Sequence, residues 1–260
     1  MNPQWKSIAL PKEHGAWVML IEAIIVGMGL SLSPSAVFLS AIAILALFLV
    51  NPLKILLRDM KEKKQYPRTG LAFIFTLIYS GFIIGLLGVV GYFNRNAFWV
   101  PLAVAAVLFL IQIWYGLQRQ DKSLAAEIVG GLATGAIAAS ILLAGGYSFV
   151  TAVCVWGFLV VRALTSIYYV RQRLRKARGE RFSSPVNFGI HLIGLVLVSG
   201  FVGAGGFGMM ILVMFVVLSA RSAYGLSCFA KNIRPQAVGI QEVVFGLLNS
   251  VVIIYSVNGL

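Results

Sequence analysis

The chain has 260 residues, 60% of them hydrophobic and 11% charged, and its mean hydropathy of +0.92 is far too apolar for a soluble domain of this length. That composition indicates an all-α polytopic membrane protein. Lys and Arg outnumber Asp and Glu by 21 to 8, a net charge of +13 that would suggest nucleic acid in a soluble protein and here must first be compared with loop placement.

The N-terminal Met1 to His14 is polar and basic. Gly15 to Leu32 is then an apolar run interrupted only by Glu22. A signal peptide is the competing reading, but the run carries a carboxylate and is longer than the usual h-region of roughly 7–15 residues, so we read it as a retained helix. Further apolar runs follow at Ala36–Leu57, Gly70–Phe93, Phe98–Leu117, Leu124–Ala144, Phe149–Val170, Val186–Ala204, Gly208–Phe229 and Val238–Val257. Together they predict about nine transmembrane helices in one integral membrane domain spanning residues 1–260. The connections are too short to hold a soluble domain, so function is expected within the bundle or at its mouth.

Charge placement sets the expected topology. Lys6 and Lys12 precede the first run, and basic clusters follow runs two, four, six and eight, whereas the opposite side holds only Arg95. The positive-inside rule then puts the N-terminus in the cytoplasm and the C-terminus outside. This arrangement accounts for most of the positive charge, and no nucleic-acid partner is expected. Cys154 and Cys228 lie apart, without ligand spacing, and indicate neither a disulfide framework nor a zinc site.

The stretch RALTSIYYVRQRLRKARGERF, from Arg162 to Phe182, carries charge out of an apolar helix into a basic loop. Helical spacing puts Arg162, Ser166, Tyr169 and Arg173 on one stripe, with Arg162 roughly 13 Å inside the point where the loop begins. A guanidinium at that depth needs a partner, a cavity or a ligand. Either it snorkels or pairs with a carboxylate such as Glu127, or it faces a cavity.

Other polar groups gather at the same side. Asn51, Lys54 and Arg58 share a helix face beside Asp59, and Pro52 frees the carbonyl of Phe48, so a kink or opening is expected there. Glu127 enters run five, His191 lies four residues after Asn187, Arg221 sits well inside run eight, and Gln241, Glu242 and Asn249 recur in run nine. These residues suggest a net-positive cavity open to the cytoplasm. Arg162, Arg171, Arg58, Lys54 and Arg221 would hold an anionic group such as a phosphate or diphosphate. The competing reading is local pairing, with the loops anchored to anionic lipid.

In LPKEHGAW, Lys12, Glu13 and His14 precede the first run, and His14 is a candidate general base or a helix-start hydrogen bonder. Two histidines are only the minimum for bis-histidine haem, and no cofactor is expected. Gly81 with Gly85, and Gly131 with Gly135, have the GxxxG spacing that allows close helix approach.

With LPKEHGAW near its start and RALTSIYYVRQRLR at the sixth run, the chain resembles the YwiC-like family of bacterial membrane proteins, a resemblance that extends over essentially the whole chain. More distantly it is similar to the UbiA-type intramembrane prenyltransferases, which implies a nine-helix bundle with polar motifs after runs two and six. In that superfamily the first motif, NDxxDxxxD followed by Arg-Thr, holds magnesium on a prenyl diphosphate. Here Asn51, Asp59, Arg68 and Thr69 fit it, while Pro52 and Ile55 stand where acids belong. The second motif has arginines in place of acids, so magnesium is doubtful and arginines would neutralise a phosphate directly.

The expected function is membrane-embedded binding of an isoprenoid, quinone-like or other lipid-like ligand with an anionic head; whether a reaction follows is left open, and transfer onto or from that ligand is its class if one does. The ligand-binding candidates are Lys12, Asn51, Lys54, Arg58, Arg68, Glu127, Arg162, Tyr169, Arg171, His191 and Arg221. His14, Glu13 and Asp59 are the candidate proton acceptors. A small-anion transporter, or an accessory subunit of a respiratory complex, is the alternative, and membrane lipids are the expected partners in each case.

Overall fold

The computed structural model describes residues 4–10, 14–63, 66–230 and 234–259, and among them every regular element is an α-helix. The ten helices are α1 (Gln4–Ala9), α2 (His14–Leu30), α3 (Pro34–Lys61), α4 (Pro67–Phe93), α5 (Trp99–Leu117), α6 (Leu124–Ala144), α7 (Phe149–Ala177), α8 (Ser184–Gly205), α9 (Met210–Leu226) and α10 (Pro235–Asn258). Helices α2 to α10 coincide with the nine apolar runs, and α1 is an additional short helix that hydropathy does not signal.

Serine and proline set the starts. Ser33, Ser123, Ser148 and Ser183 each accept a hydrogen bond from a backbone N–H in the first turn of the helix that follows, at 3.0–3.4 Å. Proline occupies the first helical position of α3, α4 and α10, where its missing N–H costs nothing. Gly206, at φ 69°, ends α8 in the left-handed conformation that a side chain would disfavour. α3 continues through Pro52 as one uninterrupted helix, so the opening expected there does not occur.

Seven helices, α3 to α8 and α10, are long and apolar enough to cross a membrane, while the apolar lengths of α2 and α9 are shorter. The protein is a multi-pass membrane protein. At 28 and 29 residues, α3 and α7 would extend about 42–44 Å, well beyond a hydrocarbon core of about 30 Å. Their basic last turns therefore project from it.

Polar contacts sort the helix ends into two groups. At the neutral end Asn94 Nδ2 donates to Ser35 Oγ at 2.7 Å, Asn96 Nδ2 to the Leu143 carbonyl at 3.3 Å, and Tyr147 Oη to the Leu30 carbonyl at 2.8 Å. At the basic end Arg58 donates to the Gly116 carbonyl and Lys176 to the Ser227 carbonyl, tying α3 to α5 and α7 to α9. Asn51 Nδ2 caps α1, donating to the carbonyls of Ser7 at 2.8 Å and Ile8 at 3.0 Å, groups that a helix C-terminus leaves without partners.

α2 packs against both α6 and α10 and so sits between the two halves of the bundle. The core joins Val26 of α2, Leu39 of α3, Ile141 of α6, Phe158 of α7, Ile211 of α9 and Ile253 of α10. The periphery is just as apolar. Phe73, Phe82, Leu192, Ile193, Val244 and Val251 are all exposed, a surface suited to lipid rather than water.

The two glycine pairs differ in what they face. A Cβ on Gly135 would stand 2.6 Å from Trp156 Cδ1 and one on Gly131 3.0 Å from Ala163 Cβ, so this pair lets α7 lie close on α6. Gly81 and Gly85 have nothing within 4 Å and do not mediate the approach expected of them. Gly135→Ala is expected to lower stability by about 1–3 kcal/mol through overpacking, whereas Gly81→Ala should leave it unchanged. Thermal unfolding of the purified variants in detergent checks the contrast.

Candidate functional site

The stripe on α7 turns inward as its spacing requires: Arg162, Ser166, Tyr169 and Arg173 are all buried. Around Arg162, which is 3% exposed, two carboxylates converge from other helices. Arg162 Nε lies 3.7 Å from Glu22 Oε1 on α2, and its Nη1 lies 3.3 Å from Glu242 Oε2 on α10. Its Nη2 also donates to the Glu242 backbone carbonyl at 3.2 Å.

Each carboxylate has further partners. Ser166 Oγ donates to Glu242 Oε2, and Asn249 Nδ2 donates to Glu22 Oε1 at 3.0 Å. Arg221 of α9 brings Nη1 to 2.7 Å from Glu242 Oε1, out of line for a hydrogen bond but close as an ion pair. Its guanidinium lies between the rings of Tyr169 and Phe245, 4.5 Å from each centroid. Gly246 leaves the room this needs, since a Cβ there would stand 3.0 Å from Glu22 Oε2. Two guanidiniums and two carboxylates thus form a charge-balanced quartet. Balance is what makes such a group tolerable away from water, because an unmatched charge there costs several kcal/mol.

Arg162 therefore pairs with carboxylates, one of the readings open from the sequence, but they are Glu22 and Glu242 rather than Glu127, the example named there. Glu127 instead accepts from Arg171 Nε at 2.7 Å, while Arg171 also donates to the Lys122 carbonyl. Lys54 is paired with Asp121, which also lies 4.0 Å from Arg58. Arg68 Nη2 and Thr69 Oγ1 donate to Asp59 at 2.9 and 2.6 Å. The candidates divide into the central quartet, with Tyr169 and His191 near it, and three separate pairings around Asp121, Asp59 and Glu127. Lys12 and Glu13 lie outside the described residues, as does the side chain of His14.

Glu22 and Glu242 were visible in the sequence only as carboxylates inside apolar runs. That was the available signal: arginines deep within apolar runs require opposite charge at similar depth, and these residues supply it.

No group of three or more His, Cys, Asp and Glu side chains gathers among the described residues. Asp59, the one acid of the prenyltransferase-type motif present here, is committed to Arg68 and Thr69. These residues do not fit a magnesium diphosphate site.

An open cleft of about 340 Å³ lies between α8 and α9 at the basic end. Ser184 and Ser227 are at its mouth, Phe188 and Ala223 on its walls, and Asn187, His191 and Ser219 further in. Asn187 and His191 are 2% and 4% exposed, whereas Phe188 is 60% exposed, so the cleft has a buried polar floor and opens outward through apolar walls. Asn187 Nδ2 donates to Ser222 Oγ at 2.7 Å, and His191 Nδ1 lies 2.9 Å from the Asn187 carbonyl. Ser222, the partner of Asn187, directly follows Arg221 on α9, which ties the cleft floor to the helix that carries that member of the quartet.

The family described as YwiC-like protein matches residues 10–142 of the chain. That match takes in LPKEHGAW and runs from the connection before α2 into α6, and α7 and the cleft lie beyond it. No curated protein and no solved structure matches the chain.

Arg162→Ala leaves Glu22 and Glu242 facing each other without their shared cation and is expected to cost about 3–5 kcal/mol. Arg171→Ala, at a pair whose side chains are 30% and 38% exposed, should cost at most about 1 kcal/mol. Comparative unfolding of the two variants in one detergent measures the difference.

Proposed function

The chain belongs to the YwiC-like family, and we propose that it binds an isoprenoid or other lipid-like molecule taken from the bilayer into the cleft between α8 and α9. The observation that carries this reading is the cleft itself. Its walls are apolar and open to the side, where hydrocarbon would lie, while its floor presents buried polar groups that hydrocarbon cannot satisfy. An amphiphile matches both surfaces.

In this reading all nine helices α2 to α10 cross the membrane, with the bilayer thinned locally to meet the shorter α2 and α9. The single domain lies in the bacterial inner membrane, with its N-terminus cytoplasmic and its C-terminus outside. The basic end then faces the cytoplasm, where anionic lipid adds to its attraction for negative groups. A UbiA-like arrangement, with α3 and α7 as equivalent helices of two repeats, agrees with the similar ties they make: α3 to the end of α5, and α7 to the end of α9.

An anionic head is drawn to the mouth by the connection between α7 and α8. Arg178 and Arg181 are exposed there, and Lys176 already holds the Ser227 carbonyl. Arg178 there has Glu180 at 3.7 Å, but among the described residues Arg181 has no carboxylate beside it, unlike Lys54, Arg58, Arg162 and Arg171. The quartet keeps α2, α7, α9 and α10 in register behind the cleft. Transfer onto or from the bound molecule is the chemistry such a site would host.

Native mass spectrometry of protein released from its own membrane tests the reading, with the copurified lipid extracted for identification. A stoichiometric isoprenoid or quinone-like mass is expected, lost in Ala223→Trp, which fills the cleft, and kept in Val217→Trp, exposed on a different face of the same helix. Bulk phospholipid at variable stoichiometry, or a ligand kept by Ala223→Trp, would sink it.

A further inference from the structure

We propose that the floor of the cleft selects a head group bearing a hydroxyl, an alcohol or a phenol, whose O–H donates to His191 Nε2. The inference rests on the cleft being the ligand site. It comes from the direction of the hydrogen bonds there. His191 Nδ1 lies 2.9 Å from the carbonyl of Asn187, one turn earlier on α8, so in the neutral ring Nδ1 carries the proton and donates to that oxygen. The Nε2 lone pair is left over, and among the described residues no donor reaches it.

The other polar groups of the cleft point the same way. Ser219 Oγ donates to the Phe215 carbonyl at 2.8 Å and Ser227 Oγ to the Tyr224 carbonyl at 2.7 Å, so both hydroxyl protons are turned into α9. Asn187 turns its Nδ2 to Ser222, leaving the buried Oδ1 without a donor. His191 Nε2 thus awaits a donor from the cleft, while Asn187 Oδ1 is sealed within the protein and the hydroxyl of Ser219, further in, is already engaged. A phosphate or carboxylate, which only accepts, gains nothing at this depth. Its cationic partners are at the mouth, about 10 Å from His191 along α8.

Head groups therefore divide by depth: hydroxyl inside, negative charge outside. A hydroquinone or an isoprenoid alcohol supplies the one donor that His191 Nε2 lacks. The corresponding quinone or ether, with acceptors alone, leaves two acceptors facing each other.

Saturable binding of radiolabelled farnesol and of farnesyl methyl ether, measured on the full chain in nanodiscs against empty nanodiscs, tests the proposal. These probes share a chain and differ in the donor. Wild-type protein is expected to prefer the alcohol by roughly tenfold. The preference should fall below about twofold in His191→Leu and persist in His191→Gln, which keeps an acceptor.

Equal affinity for the two probes in the wild type, or a preference that survives His191→Leu, overturns hydroxyl selection while leaving the lipid site standing. Absence of saturable binding of either probe, or binding undiminished by Ala223→Trp, overturns both. The wild-type comparison needs no substitution, so the test holds even where His191→Leu does not fold.

Discussion

The structure depends on one arginine that must not be alone. Arg162 lies within a bundle whose surface is made for lipid, and its charge is matched only because α2 and α10 bring Glu22 and Glu242 to it while Arg221 balances the surplus. Four helices from both ends of the chain meet at this point. Their mutual rotation is set there, since turning any one of them by a fraction of a turn would leave a bare charge in the core. Leu, Val and Phe side chains fill the remaining volume, but they do not specify rotation as sharply as an ion pair does.

That constraint reaches the cleft. His191 and Asn187 lie on the side of α8 that faces the quartet, and Ser222, the partner of Asn187, follows Arg221 directly on α9. The polar floor is thus the outer surface of the same network. Anion transport would require a path onward to the neutral end, and beyond the quartet Val26, Phe158 and Ile253 are closely packed core residues.

Much of the architecture was legible in the sequence because hydropathy and helix spacing are local properties. The nine apolar runs became helices, and the inward stripe of Arg162, Ser166, Tyr169 and Arg173 followed from its spacing. Partnership was not legible. Glu22 lies 140 residues before Arg162 and Glu242 80 residues after it, and nothing near any of them names the others. The same limit explains the glycine pairs, identical in spacing, of which one meets a neighbouring helix and the other meets nothing. Asn51 and Lys54 looked like ligand donors because a side chain that caps α1 or pairs with Asp121 has the same chemistry as one that binds a ligand.

The order in which the quartet's members are made carries a further consequence. Glu22 leaves the ribosome in the first long helix, and its cation on α7 follows only after well over a hundred residues. At ordinary rates of synthesis that gap is on the order of ten seconds, and Glu242 arrives later still. Throughout that interval α2 carries a carboxylate without a counter-charge, so it cannot rest stably in hydrocarbon as a finished span. Biogenesis therefore has a built-in wait: the contacts that hold Glu22 in the core can close only once α7 and α10 have been made.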